Sequence, residues 1–376
     1  MYEKIIKGDL EADVKIIDMR TDTISKPTPE MREAMYAAEV GDDVYGEDPT
    51  VTELERRAAE LLGKEDAIFV PSGTMANLLA MMVHCPQRGS EIISGDKSHT
   101  FLLEQGGAAQ LAGIQTRCLK TKDDGTFDLD ELREKIKKNV DIHETITSLI
   151  TVENTHNLCG GRVVPLDWLE KVGSIAAEHD IPVHMDGARM MNAAVYLKVS
   201  PRRIVRDVDT ACFCLSKGLG CPIGSMLVGP ADFINKARRI RKALGGGWRQ
   251  AGILAAAGLV ALDTMIDRLK IDHDHAFKIA RAIYDAQSPV ISVNLKTVET
   301  NIVMITYSHP TRSYVEFIRR LAEIKDDDPA KVSVRVLGRG FIRLVTYWEH
   351  TAEDVDLATK KIVHVIKEFR KLDNKL

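Results

Sequence analysis

The sequence predicts an α/β protein built on a mostly parallel sheet flanked by helices. Between residues 66 and 230, short apolar runs alternate with segments of helical periodicity, as is typical of such sheets. The connection between the apolar runs 211–215 and 225–228 is too short for a helical crossover, so the last strand should be antiparallel. From about residue 266 the chain becomes more charged, and its shorter strands and helices favour a smaller α+β domain.

The domain organisation follows from this change of character. We predict an N-terminal arm at residues 1–17, a large domain at 18–265 and a small C-terminal domain at 266–376. Helix signals support the individual elements: Asp48 and Pro49 fit a cap and a first turn, and Gly63 fits the position after the last turn. The strands of the large domain are expected at 67–70, 91–94, 114–119, 147–152, 181–185, 211–215 and 225–228.

Composition narrows the functional class. The 376 residues carry 51 basic and 55 acidic side chains, so nothing in the overall charge indicates a nucleic-acid partner. Six scattered cysteines form no C-x-x-C pair, which favours reduced thiols in a cytoplasmic protein and predicts no metal site. No apolar run reaches the roughly 18 residues of a membrane span. Residues 1–17 lack the apolar core of a signal peptide.

Lys217 stands where a buried strand turns into a glycine-rich loop. The apolar run 211–215 leads into Ser216-Lys217-Gly218, and Gly220 and Gly224 follow. Apolar surroundings lower the pKa of a lysine, and a neutral lysine can form a Schiff base with a carbonyl. The equally acceptable alternative is a lysine at a strand end whose ammonium group extends to water.

A second motif combines a strand, a turn of small residues and a helix. Pro71-Ser72-Gly73-Thr74 follows the predicted strand 67–70 and opens a helix. Backbone N–H groups and a hydroxyl at a helix N-terminus can bind phosphate. Small polar residues at such a turn can also serve only to cap the helix, so both interpretations stay open.

Polar residues follow several predicted strands. The strand 147–152 ends in Glu153-Asn154-Thr155-His156-Asn157, and the strand 181–185 ends in Asp186-Gly187-Ala188-Arg189. These ends meet at the carboxyl edge of a parallel sheet, where sites commonly lie, although a hydrogen-bonded loop network would have the same composition. Asp186 either pairs with Arg189 or holds a heterocyclic nitrogen protonated. His99, beyond the strand 91–94, fits either a site or an ordinary loop.

Two arginines stand in unusual positions. Arg249 follows the triple glycine 245–247 at the end of a basic stretch, a setting that suits an anion. The stretch is short and contains one aromatic residue, which disfavours nucleic acid as the anion. Arg343 lies within the apolar run 341–346 and needs a carboxylate, from the protein or from a ligand.

Taken together, these motifs resemble the L-threonine aldolases, which are pyridoxal-phosphate enzymes of fold type I. The likeness runs from about residue 17 to about residue 265 and is weaker beyond. It implies a seven-stranded, mostly parallel sheet, pyridoxal 5'-phosphate as cofactor, and retro-aldol cleavage of L-threonine or L-allo-threonine to glycine and acetaldehyde. The matching stretches are 20–23, 71–77, 153–157, 186–189, 215–220 and 245–250.

The resemblance assigns the cofactor residues one by one. Lys217 matches the lysine that binds the cofactor covalently, and Asp186 matches the partner of the pyridine nitrogen. Arg189 matches a contact to the ring oxygen or to the substrate carboxylate. Gly73 and Thr74 match the phosphate cradle.

Further positions match residues around the substrate and at subunit boundaries. Arg249 and Lys242 resemble phosphate contacts that reach across from a neighbouring subunit, which implies a homo-oligomer and usually a tetramer. Arg343 resembles the arginine that binds the substrate carboxylate, with Thr21 near it where many relatives have serine.

Two histidines are candidates for the catalytic base. His99 matches a histidine stacked on the cofactor ring, and His143, ten residues before Glu153, matches a second active-site histidine. The sequence does not choose between them, and a water molecule can mediate the proton transfer. Leu103 and the stretch 158–162 depart from the family pattern. Two alternatives stay open: a related pyridoxal-phosphate lyase or hydroxymethyltransferase for another β-hydroxy amino acid, and a catalytically silent relative.

Overall fold

The structure is a computed structural model that describes residues 14–138 and 141–373. Most of the predicted N-terminal arm, residues 1–17, therefore lies outside the described residues. The described chain separates into two compact units: Ser25–Leu269 forms the larger unit. The smaller unit combines the described residues up to Ile24 with those from Lys270 onwards.

Strands and helices alternate through most of the larger unit. In chain order, the strands are β1 (Lys15–Asp18), β2 (Asp66–Val70), β3 (Ser90–Gly95), β4 (Gln115–Leu119), β5 (Ile146–Glu153), β6 (Val183–Asp186), β7 (Thr210–Cys214), β8 (Ser225–Gly229), β9 (Ile291–Ser292), β10 (Ile302–Tyr307), β11 (Val332–Arg335), β12 (Leu337–Gly338) and β13 (Ile342–Val345). The helices are α1 (Pro29–Ala37), α2 (Pro49–Leu62), α3 (Gly73–His84), α4 (His99–Leu102), α5 (Gly107–Gln110), α6 (Leu129–Lys135), α7 (Leu166–Glu178), α8 (Met190–Leu197), α9 (Pro201–Ile204), α10 (Ala231–Ala243), α11 (Gly252–Thr264), α12 (Leu269–Asp285), α13 (Tyr314–Ala322) and α14 (Ala352–Asp373).

A seven-stranded sheet forms the centre of the larger unit, with the strand order β2-β8-β7-β6-β5-β3-β4. Neighbouring strands from β7 to β4 run parallel. Strand β8 runs antiparallel to both β2 and β7. The predicted fold class and the predicted direction of the last strand are thus confirmed.

Local sequence signals explain where the elements begin and end. The Asp48 carboxylate accepts a hydrogen bond of 3.0 Å from the Val51 N–H and so caps α2, a contact of the kind that contributes about 1 kcal/mol. Pro49 opens that helix, and Gly63 ends it in the left-handed region at φ 63°. Strands β7 and β8 are buried throughout, which accounts for their uninterrupted apolar sequences.

Helices α3 and α10 cover the β2-β8-β7 end of the sheet. Their apolar faces pack against strand residues such as Ile68, Cys212 and Leu227. Burial of this kind contributes roughly 25 cal/mol per Å² of apolar surface removed from water. The packing fixes the N-terminus of α3, at Gly73, relative to the end of β7.

The smaller unit is an α+β arrangement, as the sequence predicts. Strands β12-β13-β10-β9 form an antiparallel sheet, and β1 pairs in parallel with β11. Buried residues of α12, α13 and α14 share one apolar core with these strands, with Phe317 and Ile362 among them. Across residues 14–138 and 141–373, no helix combines the length and the apolar character that a membrane span requires.

Candidate active site

The carboxyl edge of the seven-stranded sheet gathers the polar strand ends that the sequence analysis identified. The register pairs Glu153 at the end of β5 with Asp186 at the end of β6, and Asp186 with Cys212 on β7. Because these three strands are parallel, their following loops emerge at the same edge. Lys217 lies in the loop after β7.

Asp186 is the buried anion of this edge. Its side chain is 3% exposed and accepts hydrogen bonds from the Asn77 amide at 2.9 Å and the Ala188 N–H at 3.1 Å. Burial favours a raised pKa, but the charges of His99 and Lys217 and these hydrogen bonds together hold the pKa of Asp186 below its ordinary value. A carboxylate that stays ionised here can hold a ring nitrogen protonated.

His99 lies next to this carboxylate and is oriented by a second one. Its Nδ1 lies 2.9 Å from Glu104 Oε1, and its backbone N–H donates to Glu153 Oε2 at 2.7 Å. Burial works to lower the pKa of His99, but the hydrogen bond with Glu104 and the charge of Asp186 outweigh it and raise that pKa. The pKa of Glu104 is raised too, in this case because burial disfavours the charged carboxylate. The ring nitrogens of His99 are therefore held in one orientation at the site.

The loop that carries Lys217 is fixed at both ends. The Lys217 carbonyl accepts hydrogen bonds from the Ser25 hydroxyl at 3.1 Å and from the Gly220 N–H at 2.8 Å. Gly224 closes the loop at φ 106°, and a Cβ there would lie 2.4 Å from the Phe69 ring. The half-buried lysine therefore projects from an ordered backbone toward the charge of Asp186.

Gly73 and Thr74 form the first turn of α3, where helix N–H groups have no acceptor within the helix itself. The Ser72 hydroxyl accepts from the Met75 N–H at 3.1 Å, which is the capping role foreseen for this turn. A Cβ at position 73 would come within 2.8 Å of Cys214 Sγ. The turn therefore requires a glycine against β7, and its N-terminus remains suited to an anion.

Arg189 is buried at the start of α8. Its Nη1 donates to Asn157 Oδ1 at 3.2 Å, and the Asn157 N–H donates to Glu153 Oε1 at 2.8 Å. These bonds join the loop after β6 to the loop after β5, so the arginine is held at the carboxyl edge of the sheet.

The sequence model of the beta-eliminating lyase family matches residues 18–309 of this chain. That match spans more than half of the sequence. The chain belongs to the beta-eliminating lyase family.

Two curated relatives match 96% and 73% of this chain. A probable low-specificity L-threonine aldolase 2 from Arabidopsis thaliana is 41% identical over 360 residues, covering 96% of this chain and 98% of the relative. The low specificity L-threonine aldolase of Escherichia coli K12 is 48% identical over 276 residues, covering 73% of this chain and 81% of the relative.

Two solved structures show the same fold as this chain. A threonine aldolase from Leishmania major superposes with a TM-score of 0.75 at 20% identity, covering 94% of this chain and 99% of that one. A serine palmitoyltransferase from Sphingomonas wittichii superposes with a TM-score of 0.71 at 16% identity, covering 94% and 88%. At these identities the likeness concerns the fold.

The structure does not bring His143 to the residues at the carboxyl edge of the seven-stranded sheet. His143 is exposed, lies 3.1 Å from Asp141 Oδ1, and precedes the first residue of β5. Asp186 lies at the opposite end of the neighbouring parallel strand. Eight strand residues at about 3.3 Å each separate the two ends by roughly 26 Å. Within one chain, His143 therefore lies at the edge of the sheet opposite Asp186 and His99, and its assignment as a second active-site histidine stays a prediction.

Lys242 and Arg249 are both exposed. Lys242 lies at the end of α10, and Arg249 lies after the glycines that follow this helix. Arg249 pairs with Asp42 at 2.8 Å. Sequence reasoning overlooked Arg241, which is 2% exposed and bonds both Asp43, at 2.5 Å, and the Phe69 carbonyl, at 2.7 Å. This buried arginine holds the backbone from which Lys242 and Arg249 extend.

Thr21 and Arg343 lie together in the smaller unit. Arg343 is buried on β13, and its Nη2 lies 3.4 Å from the Arg20 carbonyl, one residue before Thr21. The Thr21 hydroxyl lies 3.0 Å from that of Thr23. Their assignment to the substrate remains a prediction.

Sequence reasoning also missed Asn77 and Glu104. The Asn77 amide donates to Glu104 Oε1 at 2.8 Å as well as to Asp186, and all three side chains are buried. One signal was available for Asn77: a polar residue in the apolar helix 76–82, four positions after Gly73 and hence on the same helix face. No comparable signal marks Glu104: His99 is five residues away, but Asn77 is 27 residues away and meets it only through the fold.

Proposed function

We propose that this protein cleaves L-threonine and L-allo-threonine to glycine and acetaldehyde in a reaction dependent on pyridoxal 5'-phosphate. One observation carries the proposal: the 41% identity to a probable low-specificity L-threonine aldolase extends over 96% of this chain and 98% of the relative. The family membership and the fold are consistent with a lyase of this kind.

The donor set at the carboxyl edge fits the cofactor. Asp186 is a buried anion that suits a protonated ring nitrogen, and Lys217 offers an amine near it. The N-terminus of α3, at Gly73 and Thr74, suits a phosphate. When bound, pyridoxal phosphate supplies an electron sink for the pair released as the Cα–Cβ bond breaks.

We assign roles to this chain's residues on that basis. Lys217 would attach to the cofactor through Nζ, and Asp186 would keep the ring nitrogen protonated. Arg189 would contact the ring oxygen or the substrate carboxylate. His99 would stack on the ring and accept the proton of the substrate hydroxyl, directly or through water. Its contact with Glu104 supports this choice, since it sets the orientation of the imidazole.

Two further residues would hold the substrate. Arg343 offers a guanidinium that can bind a carboxylate in two-point geometry, and Thr21 offers a hydroxyl beside it. The 3.4 Å contact between Arg343 and the carbonyl of Arg20 supports their joint assignment, because it anchors the guanidinium one residue from Thr21.

The exposed residues Lys242, Arg249 and His143 would act across a subunit boundary. We propose a homotetramer, a dimer of dimers with shared active sites, in which Lys242 and Arg249 contact a neighbour's cofactor phosphate. A role for His143 would likewise require a neighbouring copy, because its own chain holds it at the opposite sheet edge. The proposed setting is the cytoplasm, with a small amino acid rather than nucleic acid or membrane as the partner.

The test of the function is aldehyde release by purified protein with added cofactor. We expect acetaldehyde and glycine from L-threonine and L-allo-threonine, and none from D-threonine. The two rates measured together give the preference between the L-isomers. Cleavage of another β-hydroxy amino acid alone would indicate a different lyase, and dependence on a folate would indicate a hydroxymethyltransferase. A protein that binds the cofactor but turns over none of these substrates would be a silent relative.

Arg249→Ala tests the contact across the boundary. We expect about tenfold weaker retention of pyridoxal phosphate, because one charged contact to phosphate is removed. The measurement is the fraction of cofactor kept after dialysis at limiting concentration. Asp42→Ala is the matched control, since it removes the exposed Arg249–Asp42 pair and keeps the arginine. Full cofactor occupancy in the Arg249 variant, or an equal loss in both variants, would contradict the phosphate role.

A further inference from the structure

A chain of hydrogen bonds runs away from Asp186 into the protein. It begins at Asn77, whose Nδ2 donates to Asp186 Oδ2 at 2.9 Å and to Glu104 Oε1 at 2.8 Å. Asn77 is 1% exposed and Glu104 5%. One neutral amide group therefore lies between two buried carboxylates.

The chain continues behind the amide. Asn77 Oδ1 lies 3.1 Å from His184 Nε2, and His184 Nδ1 lies 3.0 Å from the Thr210 hydroxyl. The same hydroxyl lies 3.0 Å from Nε2 of His84. His184 and Thr210 are fully buried, and the His84 ring stacks on Phe233. The side chains of Asn77, His184, Thr210 and His84 thus form a chain of four from Asp186 to the end of helix α3.

The donor directions in this chain follow from the amide of Asn77 and from a neutral His184. Both amide hydrogens of Asn77 go to carboxylates, so its oxygen must accept the hydrogen of His184 Nε2. His184 Nδ1 then has no hydrogen and accepts from the Thr210 hydroxyl, which in turn accepts from Nε2 of His84. The acceptor role of Nδ1 requires a neutral His184. Burial lowers the pKa of His184 to about 3 and that of His84 to about 4, in agreement with this assignment.

The direction of the chain prevents a rotation of the Asn77 amide. Rotation by 180° would place its oxygen against the Asp186 and Glu104 carboxylates and its NH₂ against the Nε2–H of His184. Every contact would then join two acceptors or two donors. The Thr210 hydroxyl supports the same arrangement by donating to Nδ1 of a neutral His184, whose Nε2–H then meets the amide oxygen and keeps the donor pair aimed at the two carboxylates.

We propose that Asn77 is a positioning residue for the cofactor, that it orients the Asp186 and Glu104 carboxylates together, and that Thr210 and His184 act through it. The proposal rests on the role assigned above to Asp186. Through Glu104 the same amide also reaches His99. The partner of the ring nitrogen and the histidine that stacks on the ring are therefore held by one group.

Several titratable groups face Asp186 and bear on any measurement against pH. His99 and Glu104 face it from α4 and the turn that follows. Lys217 and the Cys212 thiol face it from the loop after β7 and from β7 itself. His184 lies beside it on β6. The amide of Asn77 is neutral, so variants of Asn77 and Thr210 change donors without removing any of these groups.

The test uses the purified full chain stripped of cofactor and titrated with pyridoxal phosphate. Asn77→Asp has almost the same shape but puts a third carboxylate in place of the donor pair. We expect the affinity for pyridoxal phosphate to fall at least tenfold. When the visible absorbance band is titrated against pH, the midpoint of the titration should shift by at least one pH unit. Thr210→Val, which removes one hydroxyl in a residue of equal size, should change both quantities in the same direction by a smaller amount. Thr210→Ser, which keeps the hydroxyl, should retain the wild-type affinity and the wild-type pH midpoint.

The outcomes are distinguishable. Thermal unfolding of each cofactor-free variant shows whether it folds, and Thr210→Val keeps the test decisive if Asn77→Asp does not. Folded variants with wild-type affinity and an unmoved midpoint would overturn the proposal. Asp186→Asn separates the two levels of inference. Unchanged affinity for pyridoxal phosphate in Asp186→Asn would overturn the role of Asp186 and with it the proposal. If Asp186→Asn loses affinity but Asn77→Asp and Thr210→Val keep it, only the proposal is overturned.

Discussion

Each compact unit buries a cluster of charged side chains, and the two clusters balance their negative charge differently. The large-unit cluster consists of Asp186, Glu104, Asn77 and His99. The small-unit cluster consists of Asp328, Glu368, Arg320 and Lys361. Both depend on charge-assisted hydrogen bonds in places where water is largely excluded.

The small-unit cluster is neutralised by the protein itself. Arg320 bonds Asp328 at 2.6 Å and Glu368 at 2.7 Å. Lys361, with no exposed surface, bonds Asp328 from the other side. Two carboxylates thus have two cations from the same unit. Burial opposes the charged form of Asp328, but its bonds to Arg320 and Lys361 prevail and hold its pKa well below the ordinary value.

The large-unit cluster is not neutralised in this way. Asp186 and Glu104 share the neutral amide of Asn77, and the cation nearest to Glu104 is the imidazole of His99. Lys217 adds a charge near Asp186, but its amine is the group assigned to the cofactor. Carboxylates whose hydrogen bonds come from cations of the same unit, as in the small-unit cluster, are complete without a ligand. A buried carboxylate whose direct hydrogen-bond donors are neutral, as those of Asp186 are, can still accept a ligand's positive charge.

The largest expected effect comes from Lys217→Ala. If Lys217 carries the cofactor as proposed, the visible absorbance band should disappear in this variant and acetaldehyde release should fall by at least about 1,000-fold. The free energy of unfolding of the cofactor-free protein should change little. Absorbance, aldehyde release and urea unfolding are measured on the same preparation. An unchanged visible band would remove Lys217 from the site.

Lys361→Met should reverse this pattern. Removing one cation from the buried small-unit cluster should lower the free energy of unfolding by about 3–5 kcal/mol and leave the absorbance of the folded enzyme unchanged. The midpoint of urea unfolding measures the loss. Lys360→Met is the matched control, because that neighbour is exposed. Equal midpoints for the two variants would show that the small-unit cluster contributes little to stability.

Acid should affect the small-unit cluster through Asp328. Its pKa is lower in the folded than in the unfolded protein, so the stabilisation is present above the unfolded value of about 4 and is lost as pH falls from there toward the folded value. Unfolding free energies measured from pH 6 down to pH 3 should therefore fall more steeply in the wild type than in Asp328→Asn. Parallel curves would contradict the assignment.

The smallest effect is expected from Glu104→Gln, which sharpens the description of the large-unit cluster. Loss of the carboxylate should lower the pKa of His99, because the hydrogen bond with Glu104 raises it. The base is active when neutral, so the acidic limb of kcat/KM against pH should move down by about one unit. Glu178→Gln, at an exposed carboxylate, is the control. A limb that stays in place would exclude His99 as the group that sets it.

The features predictable from the sequence are those with local causes. Capping residues and apolar runs located α2 and the strands of the larger unit, and the short connection after Lys217 fixed the direction of β8. Contacts across the fold were not predictable in the same way. Asn77 and Glu104 are 27 residues apart and meet because helix α3 and the turn after α4 lie side by side in the fold. The separation of His143 from Glu153 was likewise not predictable, because the ten residues between them include a whole strand.

Strand β8 carries a consequence for how this enzyme acquires its cofactor during biosynthesis. It pairs with β7 through a short loop, but with β2 only after the intervening chain of well over a hundred residues has been arranged. Contacts between residues close in sequence form early. Pairings between distant residues form late, because closing the long loop between them costs entropy. The lysine loop can thus be assembled before the turn after β2, at residues 71–74, is joined to it. We therefore expect the yellow colour to appear late in refolding, when the last strand pair of the sheet closes.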